Sequence, residues 1–149
     1  MKEPASGKLR IRLATQKDAA RIAELSGQLG YPVTQQEIAQ RMKRISPAAR
    51  YAVFVAESGK TVTGWLQVSV TPLLEVPLRA EVNGLVVDEN QRSQGAGAQL
   101  LETAERWAKT KGCKCMSVRS NIIRKRAHAF YLRNGYEHYK TQKAFRKSL

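Results

Sequence analysis

The sequence predicts a single domain of mixed α/β (α+β) class, with a sheet of six or seven strands and about four flanking helices. Two β-prone runs, residues 51–57 and 62–70, stand either side of a Ser-Gly-Lys turn, which predicts an antiparallel hairpin. A strand, a helix and a strand then alternate across residues 80–118, and such a βαβ crossover demands parallel strands. The 149 residues fall within the usual size of one domain with one hydrophobic core.

The first third of the chain predicts a strand and two helices. Residues 1–8 are polar, and we expect them to form a flexible tail. An alternating run around Arg12 predicts the first strand. Each helix begins at a capping signal, because Thr and Asp side chains accept hydrogen bonds from the free N–H groups of a first turn. The caps and breakers are Thr15, Asp18 and Gly30 for the first helix, and Thr34, Glu37 and Pro47 for the second.

The second half of the chain carries the crossover and a C-terminal helix and strand. Gly84 lies inside the first strand of the crossover, where a glycine indicates a bulge or the close approach of another group. The crossover helix has an apolar stripe and ends at Gly112. The predicted elements are strands at residues 80–87, 113–118 and 136–145, and a last helix at residues 125–132.

Composition and charge exclude several classes of protein. With 42% hydrophobic and 26% charged residues, the chain is neither disordered nor collagen-like. The net charge of +14 is uneven: residues 1–105 hold 13 basic and 11 acidic residues, whereas residues 106–149 hold 13 basic and one acidic. Such a basic field attracts nucleic acid, an acidic membrane surface or a phosphorylated cofactor, and charge alone does not choose among them.

The chain has no apolar stretch of membrane-spanning length and no apolar signal-peptide core, so we expect a cytoplasmic protein without a membrane partner. Cys113 and Cys115 are the two cysteines, and in a strand they share a face. That spacing is poor for a mutual disulfide, and two ligands are too few for a structural zinc site. We therefore expect reduced core cysteines, a reducing compartment and no metal.

Residues 92–97, with the sequence RSQGAG, join the strand ending at Val87 to the crossover helix. A helix start exposes unpaired N–H groups, and glycines let a ligand approach the main chain, so this turn could hold a diphosphate. Two glycines spaced by one residue are, however, more often an ordinary glycine-rich turn. A P-loop is excluded because Ala98 and Gln99 follow the last glycine, and a GxGxxG fingerprint is excluded because residue 100 is leucine.

The remaining pattern resembles the acetyl-CoA loop of the GNAT superfamily of N-acetyltransferases: a strand ending Leu-Val-Val-Asp, then Arg92, two residues, Gly95, one residue and Gly97. A second signature of that family is similar to Ser120-Asn121 followed by Phe130-Tyr131 and Gly135-Tyr136. The order of predicted elements over residues 9–145 is also similar to that of the family.

The resemblance implies an acetyl-CoA-dependent enzyme that acetylates a primary amine by direct attack in a ternary complex, with acetyl-CoA as cosubstrate. It implies that main-chain amides at the helix start bind the diphosphate, that the end of the preceding strand pairs with pantetheine, and that an Asn holds the pantetheine arm. The residues at these positions are Gln94, Gly95, Ala96, Gly97 and Ala98 for the diphosphate, Leu85, Val86 and Val87 for the strand, and Asn121 for the arm. Arg92 and Arg133 are candidates for phosphate contacts, and a solvated cation explains each equally well.

Two residues are candidates for proton transfer. Tyr131 occupies the position of the family's general acid, where a phenol protonates the departing thiolate, although a core aromatic is the alternative. Glu81 stands eleven residues before Arg92, the offset at which the histone-acetylating branch places a glutamate base; a surface glutamate is the alternative. The N–H of Val87 is a candidate for stabilising the oxyanion.

A second hypothesis is a basic nucleic-acid-binding protein on the same fold without acetyl transfer. The cluster Arg124-Lys125-Arg126 favours it, but no aromatic-interleaved platform or helix-turn-helix signature accompanies the cluster, so we do not expect a nucleic-acid partner. The resemblance leaves a homodimer open. It also leaves the acceptor open among aminoglycosides, polyamines, amino acids, peptide N-termini and protein lysines, with Tyr31, Trp65 and Leu74 at the positions of the family's acceptor pocket.

Overall fold

A computed structural model describes residues 7–45, 49–92 and 94–149. Residues 1–6 of the predicted tail and Pro47, the predicted end of the second helix, lie outside the described residues. The elements are β1 (Leu9–Leu13), α1 (Ala19–Gln28), α2 (Gln35–Ile45), β2 (Tyr51–Ser58), β3 (Thr61–Thr71), β4 (Arg79–Val87), α3 (Ala96–Thr110), β5 (Met116–Val118) and α4 (Lys125–Arg133). Short 3-10 turns occupy Gln16–Asp18 and Glu89–Gln91. The chain divides into two compact units, Met1–Arg119 and Ser120–Leu149.

The first unit holds a mixed sheet in the order β1-β2-β3-β4-β5. The first four strands are antiparallel to their neighbours, and β5 runs parallel to β4. The predicted hairpin, crossover and fold class are therefore confirmed. No helix among the described residues is long and apolar enough to cross a lipid bilayer.

Helices cover both faces of this sheet. On one face, α1 and α2 pack against β2, β3 and β4 through a buried apolar cluster. On the other face, the fully buried Leu100 of α3 lies against Gly64 of β3. Each buried Leu, Ile or Val contributes about 1.5–3 kcal/mol relative to an exposed one, so these two layers hold the sheet in place. The members of the α1/α2 cluster are Ala19, Ile22, Leu25, Met42, Val55, Val62 and Val86.

A bulge interrupts β4 next to Gly84, as the sequence predicted. Gln67 of β3 pairs with Gly84, but the next residue, Val68, pairs with Val82, so Asn83 is the extra residue. The ring of Trp65 occupies the space beside Gly84, because a Cβ placed there would lie only 2.7 Å from the ring. The absent side chain at Gly84 therefore makes room for Trp65.

The predicted strand at residues 136–145 is wrong, and the described residues form five strands rather than six or seven. Tyr139 and Phe145 lie on one side of that segment, but Glu137, Thr141 and Lys143 share that side, so neither side is apolar. All residues from Glu137 to the end of the chain are exposed. With no apolar face to bury, the segment lacks the main force that would hold it in a sheet.

The prediction of two core cysteines is wrong for one of them. Cys113 is buried, but its N–H donates to the carbonyl of Ala108, so Cys113 lies in the turn that follows α3, and β5 begins only at Met116. Cys115 is exposed, and both thiols are free. Burial raises the pKa of the Cys113 thiol.

A charged cluster fastens β1 to β2 and to the turn before α1. The guanidinium of Arg12 donates to both oxygens of Asp18 at 2.8 and 2.9 Å, and its Nε donates to Glu57. These hydrogen bonds from Arg12 hold the pKa values of Asp18 and Glu57 below their usual range. Asp18 also accepts the N–H of Thr15 at 2.8 Å, which fixes the start of the helical segment.

We expect this cluster to make stability fall in acid. A carboxylate with a lowered pKa in the folded state adds stability above its unfolded pKa of about 4, and this is lost as the pH falls through the folded value. Replacing Asp18 by Asn should lower the free energy of unfolding at pH 7 by about 2 kcal/mol and flatten its decline in acid. Urea unfolding between pH 7 and pH 3 measures both effects. Glu102→Gln, in an exposed pair with Arg106, is the control, and an Asp18→Asn profile parallel to wild type contradicts this account.

Candidate active site

Among the described residues, no strand pairs with one edge of β4 over its second half, which we call the open edge. β5 pairs with β4 only at Ala80, Glu81 and Val82, whereas β4 continues to Val87. An open strand edge presents N–H and C=O groups that another extended chain can pair with. The open edge is thus five residues long, from Asn83 to Val87.

One hydrogen bond and one close approach to β3 identify the residues that face this edge. The N–H of Asp88 donates to the carbonyl of Thr63 on β3 at 2.7 Å, and the carbonyl of Val86 also faces β3, beside Gly64. Since successive residues of a strand direct their N–H and C=O groups to opposite edges, Leu85 and Val87 direct theirs to the open edge.

The bulge sets this arrangement. Before it, the N–H of Ala80 donates toward β5, to the carbonyl of Cys115, so even-numbered residues face that edge. The extra residue Asn83 reverses the alternation, and odd-numbered residues face the open edge beyond it.

The open edge of β4 leads through a short turn to the start of α3. Gly95 is the N-cap of α3 with φ of +84°, a conformation that favours glycine, and a Cβ there would meet open space. No side chain in the described part of the protein caps the helix, and its first turn has no acidic residue. The N–H groups at Ala96, Gly97 and Ala98 precede the first helical hydrogen bond, which Gln99 donates to Gly95 at 3.0 Å. The positive end of the helix dipole is therefore available to an anion.

Two exposed residues flank that helix start. Arg92 is exposed and directly follows the 3-10 turn. Gln94 is exposed directly before the N-cap. Both side chains are therefore accessible at the helix start.

Glu81 lies on the sheet face covered by α1 and α2. Ser69 and Trp65 alternate on β3 and so share a face, and their partners across the ladder are Glu81 and Val86. Val86 belongs to the cluster that packs under α1 and α2, and Trp65 packs against that cluster. The carboxylate of Glu81 accepts a hydrogen bond from Nε of the exposed Arg119 at 2.7 Å, so a cation accompanies it.

A buried carboxylate ties α1 to the residue that follows β4. Asp88 accepts from Nη2 of Arg21 at 2.6 Å and from the N–H of Asn90 at 3.1 Å. Burial raises the pKa of Asp88, but these hydrogen bonds outweigh burial and hold the pKa below its usual value. Sequence reasoning missed this contact because Arg21 and Asp88 are 67 residues apart and neither belongs to a motif.

In the second unit, Asn121 organises the turn before α4. Its side-chain oxygen accepts the N–H of Ile123 at 3.1 Å, and its main-chain carbonyl accepts the N–H of Arg124 at 3.0 Å. Nε2 of His128 lies 2.8 Å from the same carbonyl. His128 of α4 thus contacts the Asn121 turn.

Tyr131 has a fixed and partly buried ring. The ring packs edge-on against Phe130 at 5.2 Å and against Tyr136 at 5.8 Å between centroids. Burial raises the pKa of Tyr131 to about 12, although the positive charge of Arg124 acts in the opposite direction. The phenol therefore keeps its proton throughout the neutral pH range.

The candidate residues fall into two groups. Glu81, Leu85 to Val87, Arg92 and the start of α3 are in the first unit, whereas Asn121, Tyr131 and Arg133 are in the second. Arg133 is the exposed last residue of α4, where a cation suits the negative end of the helix dipole. Tyr31 and Leu74 are exposed. Among the described residues, no three His, Cys, Asp or Glu side chains come together as a metal site would require.

Comparison with known proteins identifies the family. Residues 18–136 match the family described as the acetyltransferase (GNAT) family, which is more than half of the chain. The chain belongs to the acetyltransferase (GNAT) family. The sequence-based prediction of an acetyl-CoA-dependent N-acetyltransferase, with acetyl-CoA as cosubstrate, is confirmed.

Individual members of the GNAT family show how far the similarity extends. An aminoalkylphosphonate N-acetyltransferase of Salmonella typhimurium is 42% identical over 66 residues, which span 43% of each chain and so less than half of that relative. An aminoglycoside N(6')-acetyltransferase type 1 of Klebsiella aerogenes is 27% identical over 119 residues, 77% of this chain and 78% of the relative. The structure of aminoglycoside N-acetyltransferase AAC(6')-Iy in complex with CoA has a TM-score of 0.86 at 19% identity, covering 99% of each chain.

Proposed function

We propose that this enzyme transfers the acetyl group of acetyl-CoA to a small primary amine by direct attack within a ternary complex. One observation carries the proposal: the open edge of β4 leads directly to the uncapped start of α3. An extended thioester arm can pair with the edge, and the diphosphate at its end can accept from the helix N–H groups. The segment from β4 to the start of α3 can thus bind both the thioester arm and the diphosphate of acetyl-CoA.

The cosubstrate-binding roles follow from this arrangement. We assign the diphosphate to the main-chain amides from Gln94 to Ala98, and the pantetheine to Leu85 and Val87 on either side of Val86. The resemblance assigns the pantetheine arm also to Asn121. Because the side-chain oxygen of Asn121 is engaged by Ile123, that contact would use its amide nitrogen. We assign Arg92 and Arg133 to phosphate groups.

The acceptor amine must lose a proton before it attacks. An amine with the pKa of lysine is neutral in roughly 1 of 2,500 molecules at pH 7, a deficit of about 4.6 kcal/mol. We propose Glu81 as the base that takes this proton, through water. Its place on the α1/α2 face of the sheet, within β4, supports this role, and Arg119 is its hydrogen-bond partner there.

The leaving thiolate must be stabilised as the thioester bond breaks. We propose that Tyr131 donates a hydrogen bond to the sulfur and that the N–H of Val87 donates to the oxyanion. A phenol pKa of about 12 lies above the ordinary thiol value of about 8.5. A phenol with this pKa carries its proton at neutral pH and can donate a hydrogen bond to the forming thiolate, whereas complete proton transfer from Tyr131 is uphill. The proton that the departing sulfur takes up is then the one that the acylated nitrogen loses.

The acceptor class is tested by product analysis. The relatives named for aminoalkylphosphonates and aminoglycosides support a small amine rather than a protein lysine. The enzyme should release free thiol from acetyl-CoA only with an amine, and mass spectrometry should show one added acetyl group on it. A panel of aminoalkylphosphonates, aminoglycosides, polyamines and a lysine peptide separates the classes. Thiol release that is fastest with the lysine peptide contradicts the small-amine assignment.

We also propose a cellular location for the enzyme. Two free thiols support a reducing, cytoplasmic location. A homodimer stays a prediction, and so does the absence of a nucleic-acid partner for the basic residues beside Arg124.

We expect Glu81→Gln to lower kcat/KM by roughly 10- to 100-fold below pH 8 and to flatten the rise of activity with pH, since the amide cannot accept a proton. A pH profile of kcat/KM from pH 6 to pH 10 measures this. Glu37→Gln is the matched control, because Glu37 also forms an exposed ion pair, with Arg41. A Glu81→Gln profile that superposes on wild type removes Glu81 from the mechanism.

A further inference from the structure

The buried carboxylate of Asp88 is the point at which α1 meets the loop between β4 and α3, which is proposed to bind the diphosphate. Asp88 directly follows the last residue of β4, and the 3-10 turn Glu89–Gln91 then leads to Arg92. The carboxylate caps this turn by accepting from the N–H of Asn90 at 3.1 Å. The orientation of Asp88 therefore sets the direction in which the chain enters the loop.

Two side chains of α1 hold that carboxylate from the other side. Arg21 donates to Asp88 at 2.6 Å and, through Nε, to the carbonyl of Val62 at 2.8 Å, so its guanidinium bridges β3 and Asp88. Gln28, seven residues further along α1, donates to Asp88 at 3.4 Å and accepts the N–H of Glu89 at 3.0 Å. Arg21 and Gln28 thus both contact the first residues of the loop, Asp88 and Glu89.

We propose that Arg21, supported by Gln28, is a positioning residue for the diphosphate-binding amides of the loop. This inference rests on the proposed function of the loop. Arg21 does not touch the cosubstrate in this proposal; it fixes Asp88, and Asp88 fixes the turn whose end presents the amides. A displacement of about 1 Å can lower the rate roughly 100-fold in a preorganised site. Two side chains and a main-chain N–H hold the carboxylate of Asp88, so loss of one of them should displace the loop enough to weaken binding.

The geometry separates this role from general stabilisation. Arg21 carries a largely buried charge, but its partners are confined to the residues around Asp88, Val62 and Glu24. Loss of Arg21 should therefore weaken only the binding of the diphosphate, which is the part of acetyl-CoA that contacts the loop. A thioester that lacks the diphosphate should not respond.

The test compares acetyl-CoA with S-acetylpantetheine, which keeps the thioester and lacks the diphosphate. Arg21→Met should raise the Kd for acetyl-CoA by roughly tenfold or more, and leave kcat/KM for S-acetylpantetheine within about twofold of wild type. Arg21→Lys should recover part of the affinity, because one ammonium can reach Asp88 but cannot also bridge to Val62. Arg41→Met, which removes an arginine from the exposed pair with Glu37, should change neither substrate.

Gln28→Leu keeps the test decisive if Arg21→Met does not fold. It removes the second contact to Asp88 without leaving a buried charge, and should raise the Kd for acetyl-CoA by roughly threefold while sparing S-acetylpantetheine. Equal losses on both thioesters, or no loss on either, overturn the positioning role. A wild-type enzyme that gains nothing in affinity from the diphosphate instead overturns the proposed function of the loop, and this inference with it.

Discussion

Replacing Tyr131 by Phe is expected to lower kcat by roughly 100- to 1,000-fold, the range for loss of one hydrogen-bond donor to negative charge that develops in the transition state. The Kd for acetyl-CoA should change less than about threefold, because the phenol hydroxyl acts on a sulfur that becomes negative only as the bond breaks. Pre-steady-state thiol release and calorimetric binding of acetyl-CoA measure the two effects separately.

The Tyr131→Phe variant removes the hydroxyl and leaves the packing of the ring intact. Its ring packs between Phe130 and Tyr136, and Phe preserves that packing. With a pKa of about 12, the hydroxyl is protonated at every pH used, so the loss in kcat should be constant from pH 6 to pH 9. Tyr139→Phe, the same change at an exposed site of the same unit, should leave kcat unchanged. A Tyr131→Phe enzyme with wild-type kcat assigns Tyr131 to packing alone.

Replacing Gln94 by Glu is expected to weaken acetyl-CoA binding by roughly 30- to 150-fold. The new carboxylate would stand directly before the N-cap of α3, where the diphosphate is proposed to bind. Two like charges about 6 Å apart repel by about 2–3 kcal/mol at an effective dielectric constant near 20, which gives this range. Calorimetry at two salt concentrations measures the loss, and screening should reduce it at high salt.

Stability and affinity should move in opposite directions in this variant. A negative charge beside a helix start stabilises the helix by about 0.3–1 kcal/mol, so Gln94→Glu should melt at or above the wild-type temperature. Gln35→Glu is the matched control, because Gln35 is the exposed first residue of α2. That variant should gain stability without losing affinity. Equal affinities for Gln94→Glu and wild type remove the diphosphate from this helix start.

Local signals predicted most of the fold. The capping signals at Asp18 and Thr34 and the turn at Gly59 gave correct elements, since a cap or turn depends on residues within a few positions. The strand predicted at residues 136–145 failed because β-prone residues such as Tyr139 form a strand only where a partner and an apolar face exist. Neither condition can be read from the segment itself.

Local signals also indicated two backbone features of the candidate site. The turn at Gly95 and the bulge at Gly84 are short-range features, and the sequence carries them in its glycines. The network of Arg21, Gln28 and Asp88 joins residues about 60 positions apart, so only the packing of α1 on the sheet reveals it. The pairing of Glu81 with Arg119 required the parallel register of β4 and β5 for the same reason.

Backbone hydrogen exchange with and without acetyl-CoA tests the central claim most directly, because it observes the N–H groups assigned to the cosubstrate. Saturating acetyl-CoA should slow exchange at Leu85 and Val87 and at the amides from Gln94 to Ala98, while S-acetylpantetheine should protect only the two strand amides. Acetyl-CoA that is consumed with an amine while these amides exchange at their unliganded rates would contradict the account.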